Sequence, residues 1–150
     1  MADGHIRELV AFKIDAEEFA VDIASVQEIN RAVELTRIPN APSHVQGVMN
    51  LRGKIIPVVD LRRLLGFQER TADKQSRIIM IEIGGLVAGF LVDSVSEVVR
   101  LPESAVEAPP TFAGVLEPDY VGGVGKVDDR LLILLNLQKM FLAAGGIAPE

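Results

Sequence analysis

Apolar residues in this chain fall into short runs, mostly four to eight long, set apart by Gly, Pro, Asp or mixed polar turns. That spacing belongs to short β-strands. Leu9-Val10-Ala11-Phe12-Lys13-Ile14 reads as a strand, the polar turn Asp15-Ala16-Glu17-Glu18 follows, and Phe19-Ala20-Val21 is a second strand. Asp22 is placed to cap one short helical turn before Ser25-Val26-Gln27-Glu28-Ile29, which reads as extended. Beyond a loop with Pro39 and Pro42, Val45–Leu51 and Lys54–Val59 surround Arg52-Gly53, a hairpin signal. Pro57 has no N–H to donate, which predicts an edge or a bulge there. Asp60-Leu61-Arg62-Arg63-Leu64-Leu65 carries an N-cap residue, apolar spacing on one face and Gly66 as a stop, so a short helix is predicted.

The pattern then begins again. Arg77–Ile83 and Leu86–Val92 flank Gly84-Gly85, and Ser94-Val95-Ser96-Glu97-Val98 follows. A loop rich in proline and acid (Pro102, Glu103, Glu107, Pro109, Pro110) leads to Tyr120–Val127 and Arg130–Leu135 around Asp128-Asp129. Leu137–Leu142 reads as a closing helix, and the tail from 143 to 150 is expected to be mobile.

The two halves are copies of one unit. Ser25–Ile29 matches Ser94–Val98 at an offset of 69, and Val45–Leu65 matches Val121–Phe141 at 76. Val45/Val121, Gly47/Gly123, Val48/Val124 and Leu61/Leu137 are identical, and Asp60 faces Asn136 at the same N-cap. Each copy has about five strands and one short helix, too few for an open sheet to cover both faces, so curling into a barrel is the expected solution. The class is therefore all-β, with two small barrels.

Composition narrows the function. Fifteen Lys+Arg against 21 Asp+Glu give a net charge of −6, with one Tyr, six Phe and no Trp. A nucleic-acid surface needs a basic stripe and stacking aromatics, and neither is present. There is no cysteine, which removes disulfides, thiol nucleophiles and thiolate metal sites and fits a reducing compartment. No signal-peptide pattern opens the chain and no apolar run approaches the roughly 20 residues of a membrane span. A cytoplasmic location is the expectation. His5 and His44 are far apart, no His/Asp/Glu cluster has metal-ligand spacing, and no nucleophile or phosphate-binding motif occurs, so no metal, cofactor or catalytic residue is predicted.

What remains is polar chemistry at turns. Asn50 and Arg52 sit at the first hairpin, with Lys126 and Asp128 as their counterparts, and Glu28 and Glu97 occupy the same point of both copies. An ion pair between Glu28 and Arg52 would fix a binding surface, and Val26, Ile29, Val33 and Leu35 are candidates for an apolar patch beside it, at least half of them expected in the core.

Several of these segments carry a family resemblance. Gln27-Glu28-Ile29-Asn30-Arg31, Thr36–Pro42, Val45–Gly53 with its Asn-Leu-Arg-Gly, Pro57–Arg62, Val92–Val98 and Gly123–Lys126 closely resemble the CheW family of bacterial chemotaxis coupling proteins, in family order from about Glu8 to Phe141. The resemblance implies a single domain over 8–141 built of two five-stranded SH3-like barrels. They would run approximately over 15–66 and 84–142, with strands 8–14 and 77–83 completing them. It further implies an adaptor joining chemoreceptor cytoplasmic tips to the regulatory domain of the histidine kinase CheA. The receptor would lie in an apolar groove between the barrels and the kinase would dock end to end, with other CheW-like domains joining into rings. Coupling positions of the family fall on Val26, Glu28, Ile29, Asn50 and Arg52. A paralogue serving pilus motility or another array would look the same. A ligand-binding barrel, a barrel enzyme and a self-assembling module are the readings from other classes.

Overall fold

The structure is a computed structural model that describes residues 5–40, 45–107 and 120–143. Its strands are β1 (Ile6–Ile14), β2 (Glu17–Asp22), β3 (Val26–Arg31), β4 (Val45–Leu51), β5 (Lys54–Asp60), β6 (Arg77–Ile83), β7 (Leu86–Val92), β8 (Ser94–Pro102), β9 (Val106–Glu107), β10 (Val121–Val127) and β11 (Arg130–Leu135). Two helices, α1 (Leu61–Leu65) and α2 (Leu137–Ala143), follow β5 and β11. His44, Pro42, Pro109, Pro110 and the tail beyond Ala143 lie outside the described residues.

Local chemistry sets the elements where the sequence placed them. The Arg62 backbone N–H donates to Asp60 Oδ1 at 3.0 Å, and Gly66 closes α1 at φ 84°. In the second copy the Lys139 N–H donates to Asn136 Oδ1 at 2.9 Å. Asp22 accepts from the Ala24 N–H and caps a single 3-10 turn, Ile23–Ser25. Pro57 sits at a local open edge of β5, as expected. It faces Val48 across the β4–β5 pair, while the parallel neighbour β7 joins β5 only from Val58 onward, so no partner asks for the missing N–H.

Eleven strands form two sheets, one of order β8-β1-β2-β11-β10-β9 and one of order β3-β6-β7-β5-β4. The register repeats between them. Phe12↔Val95 corresponds to Ile81↔Val26, and the parallel contact Ala20↔Leu134 corresponds to Gly89↔Val58. Each sheet is curled rather than closed by a continuous ladder. The boundaries 15–66 and 84–142 do not coincide with the sheets, because the two hairpins change places. Hairpin β1–β2 opens the first copy but pairs with β8 and β11 of the second. Hairpin β6–β7 opens the second copy but pairs with β3 and β5 of the first. One sheet is thus the continuous stretch 26–92, and the other is made from what flanks it.

Burial explains the exchange. Val10, Phe12, Ile14, Phe19 and Val21 meet Ile79, Ile81, Ile83, Phe90 and Val92 in a shared core between the sheets, completed by Leu61, Leu137, Met140 and Phe141. The opposite faces of the same hairpins fill two further cores. Leu9, Ala11 and Ala20 meet Val99, Leu101, Leu132 and Leu134 inside one sheet, and Ile78 and Met80 meet Met49, Ile56 and Val58 inside the other. Hairpin strands buried on both faces read as continuous apolar runs rather than alternations.

The chain crosses between sheets at two points, Ile23–Ser25 and Asp93. At Asp93 a buried guanidinium holds the corner. Arg62 Nη1 donates to Asp93 Oδ2 at 2.7 Å and to Asp15 Oδ1 at 2.8 Å, Nε donates to the Gln68 carbonyl at 2.7 Å, and the group lies 5.8 Å from the centre of the Phe67 ring. Burial works against the charge, but Asp15 and Asp93 outweigh it and raise the Arg62 pKa above its ordinary value.

Phe90 is fully buried in the shared core, edge-on to Phe141 at 6.2 Å. Phe90→Ala is expected to cost about 3–5 kcal/mol. Urea unfolding should show it as a lower midpoint with an unchanged slope.

Candidate functional site

The turn between β4 and β5 is built from Arg52 at φ 52° and Gly53 at φ 86°. Consecutive left-handed residues match the twist of a hairpin, and glycine is at home there. Arginine is not, at a cost on the order of 1 kcal/mol. Asn50 steadies the turn, its Oδ1 accepting from the Gly53 N–H at 2.9 Å. The conformation aims Arg52 across to β3. Its Nη2 donates to Glu28 Oε1 at 2.6 Å and its Nη1 to Glu28 Oε2 at 3.4 Å, a two-pronged contact.

β3 and β4 stand at opposite ends of their sheet's strand order, so this ion pair spans the seam where the curled sheet returns toward itself. It lies at the surface, with Arg52 largely exposed and Glu28 partly so. The hydrogen bond from Arg52 holds the Glu28 carboxyl below its ordinary range against partial desolvation, with Asn30 assisting, and the same bond raises Arg52. Both groups are charged at neutral pH.

The apolar candidates divide. Val26 packs against the shared core, and Leu35 packs into the core of its own sheet beside Met49 and Ile56. Ile29 and Val33 face outward, 40% and 50% exposed. The structure therefore gathers Glu28, Asn50 and Arg52 at one seam, with Ile29 on the outer side of the same strand.

The second sheet carries a related bridge that the sequence reading missed. Arg130 opens β11; its Nη1 donates to Glu97 Oε2 at 2.8 Å and its Nε to Glu18 Oε1 at 2.9 Å. Both carboxylates raise the guanidinium pKa, Glu97 more than Glu18. Glu97 is the counterpart of Glu28 in the sequence, but the counterpart of Arg52 is Asp128, which cannot pair with it. Arg130 stands two positions on, across the same turn, where the first copy has Lys54. An acid awaiting a base at a known turn was the available signal.

Among the described residues no group of three or more His, Asp or Glu side chains is placed to hold a metal ion. Each sheet thus carries a carboxylate–guanidinium bridge at its surface, an arrangement of a binding module rather than of a reaction centre. A family model described as the CheW-like domain matches residues 8–144. The chain belongs to that family. It is 37% identical over 134 residues to the chemotaxis protein CheW of Klebsiella aerogenes, covering 89% of this chain and 81% of the relative. It is 30% identical over 140 residues to the protein FrzA of Myxococcus xanthus, covering 92% and 87%. The solved structure of the scaffolding protein TtCheW from Thermoanaerobacter tengcongensis superposes with a TM-score of 0.83 at 38% identity, covering 93% of this chain and 90% of that one.

Because the folded-state pKa of Glu28 is lowered, the pair contributes fully above the ordinary carboxylate pKa and is lost as pH falls through the lowered value. Arg52→Ala should return the Glu28 titration, followed by carboxyl NMR, toward the ordinary range while amide shifts in the other sheet stay in place.

Proposed function

We propose that this protein is a chemotaxis adaptor that couples chemoreceptor cytoplasmic tips to the regulatory domain of the histidine kinase CheA, inside the cytoplasm and without performing a reaction. The Glu28–Arg52 bridge at an exposed seam is the observation that carries the reading. A two-pronged pair that is mostly in water adds little to stability, yet here the turn accepts a left-handed arginine to make it. Its value is orientation, presenting a fixed pattern of charge next to the exposed Ile29. Among the described residues no helix is long and apolar enough to cross a membrane, so an attachment to membrane receptors would run through protein contacts.

Coupling requires more than simultaneous binding. Receptor conformations must bias the docked kinase differently, and the adaptor must transmit the difference as a coupling free energy. Individually weak contacts become effective when several adaptors, including other CheW-like domains, are held in one array.

Arg52→Glu reverses half of the bridge and should weaken capture of a receptor-tip fragment or of the CheA regulatory domain by about tenfold, or 1.4 kcal/mol. The melting temperature should stay near that of the parent, as expected for an exposed pair. The double reversal Glu28→Arg with Arg52→Glu restores the bridge and should recover part of the binding. A folded Arg52→Glu protein that holds both partners at the parent affinity contradicts the proposal.

A further inference from the structure

The two crossovers between the sheets are counterparts, yet only one is held by charge. The 69-residue relation places Asp15 opposite Gly84 and Asp93 opposite Ala24, and the 76-residue relation places Arg62 opposite Gln138. Asp15, Arg62 and Asp93 thus each have a neutral counterpart, and Arg70 Nη1 adds a longer contact to Asp93 at 3.6 Å. The three counterparts are not scattered. Ala24, Gly84 and Gln138 all line one open cleft of about 480 Å³, together with Asp22, Ser25 and Glu82.

The bonding at this second corner is thin. Gln138 Nε2 donates to the Glu82 carbonyl at 2.9 Å, and the Ala24 N–H donates to Asp22. Among the described residues neither Asp22 nor Glu82 joins an ion pair. At the first corner the equivalent space is filled by the Arg62 guanidinium, bonded to the β1–β2 turn, to the β7–β8 crossover and to the chain beyond α1. The backbone adds a further tie there, the Asp93 N–H donating to the Lys13 carbonyl at 3.1 Å.

We infer that the Asp93 corner is a fixed pivot between the two sheets and that the Ile23–Ser25 corner is its compliant counterpart, through which β3 is coupled to the other sheet. Arg62 is then a positioning residue. It touches no docking surface, but it decides at which corner the sheets give. β3 leaves the compliant corner directly and carries Val26, Glu28 and Ile29, so a partner pulling on that strand works against the weaker joint. Opening with few buried contacts and few ties is the low-cost motion of a folded domain. The inference deepens the adaptor reading above and rests on it for its role in signalling.

Amide hydrogen exchange on the protein alone tests the mechanical part. β3 (Val26–Asn30) and β8 (Val95–Val99) are register counterparts, each paired along one edge only. β3 should exchange at least about tenfold faster than β8. Grafting the clasp with Ala24→Asp, Gly84→Asp and Gln138→Arg should slow β3 toward β8. Gly84 sits at φ 56° and Asp15 at φ 55°, so the new aspartate finds a backbone its counterpart already adopts. If the triple variant does not fold, Gly84→Asp with Gln138→Arg makes the same test. Equal exchange of β3 and β8 in the parent overturns the inference, whatever the partners do.

The signalling part is read in reconstituted arrays of receptor, CheA and adaptor. The grafted protein should bind each partner within about twofold of the parent while receptor control of kinase activity falls about tenfold. Full control by a grafted protein whose β3 exchange has slowed overturns the role of the joint. A parent protein that binds neither partner removes the adaptor reading instead, and the exchange asymmetry is then judged on its own.

Discussion

Neither face of the hairpins β1–β2 and β6–β7 tolerates water. Phe12 and Phe90 point into the space between the sheets, while Leu9 and Ile78 point the other way, each into the interior of its own sheet. A strand apolar on both sides must be a middle layer, and the fold supplies two such layers stacked on each other. Exchanging the hairpins between copies follows from this: each is paired within one sheet and pressed against the hairpin of the other. Either copy alone would have its hairpin without the strands it pairs with. The sheets are therefore joined by the burial that forms them, and the Glu28–Arg52 and Arg130–Glu97 bridges are left on the outside.

The charged residues divide by depth. Arg62 is 7% exposed and answers two carboxylates, so removing it would take from the buried Asp93 its closest cation and leave Arg70 at 3.6 Å and the Asp15 N–H as its partners. The Glu28–Arg52 and Arg130–Glu97 bridges lie in water, where ion pairs hold geometry more than they hold the fold. Stability rests on the apolar layers. The bridges set what the seams present.

Much of the architecture was legible in order along the chain. Both helices were marked by Asp60 and Asn136 at their N-caps, the hairpins by their turn residues, and the duplication by its offsets, all of which are local signals. The assignment of strands to sheets was not legible. Leu9–Phe12 and Ile78–Ile81 look the same whether they pair with their own copy or the other, because burial on both faces erases the alternation that would mark an inner side. At the site, Glu28 with Arg52 could be read because a carboxylate and a guanidinium stood at turn-related points of one copy. Arg130 escaped because its copy had shifted the base across the turn. The clasp escaped because Asp15, Arg62 and Asp93 are distant in sequence, and only the exchanged hairpins bring them together.

Duplication with divergence would suit the proposed adaptor, which has to hold two unlike partners in one geometry. The repeated register places a bridge on each sheet, and substitutions within that register make the two chemically different. In one, Arg52 stands alone in a strained turn facing Glu28. In the other, Arg130 is shared between Glu97 and Glu18 and is tied to β2 as well as β8. Under that proposal a partner shaped to one bridge would meet a differently placed guanidinium at the other, and discrimination between partners would be the difference of those two energies. The corners follow the same logic. Identical corners would let the sheets move equally at both ends, whereas one clasped and one neutral corner confine motion to a single joint beside β3. An adaptor that only tethered would have no use for that inequality. One that relays a conformational bias needs a stiff path with a defined place to yield.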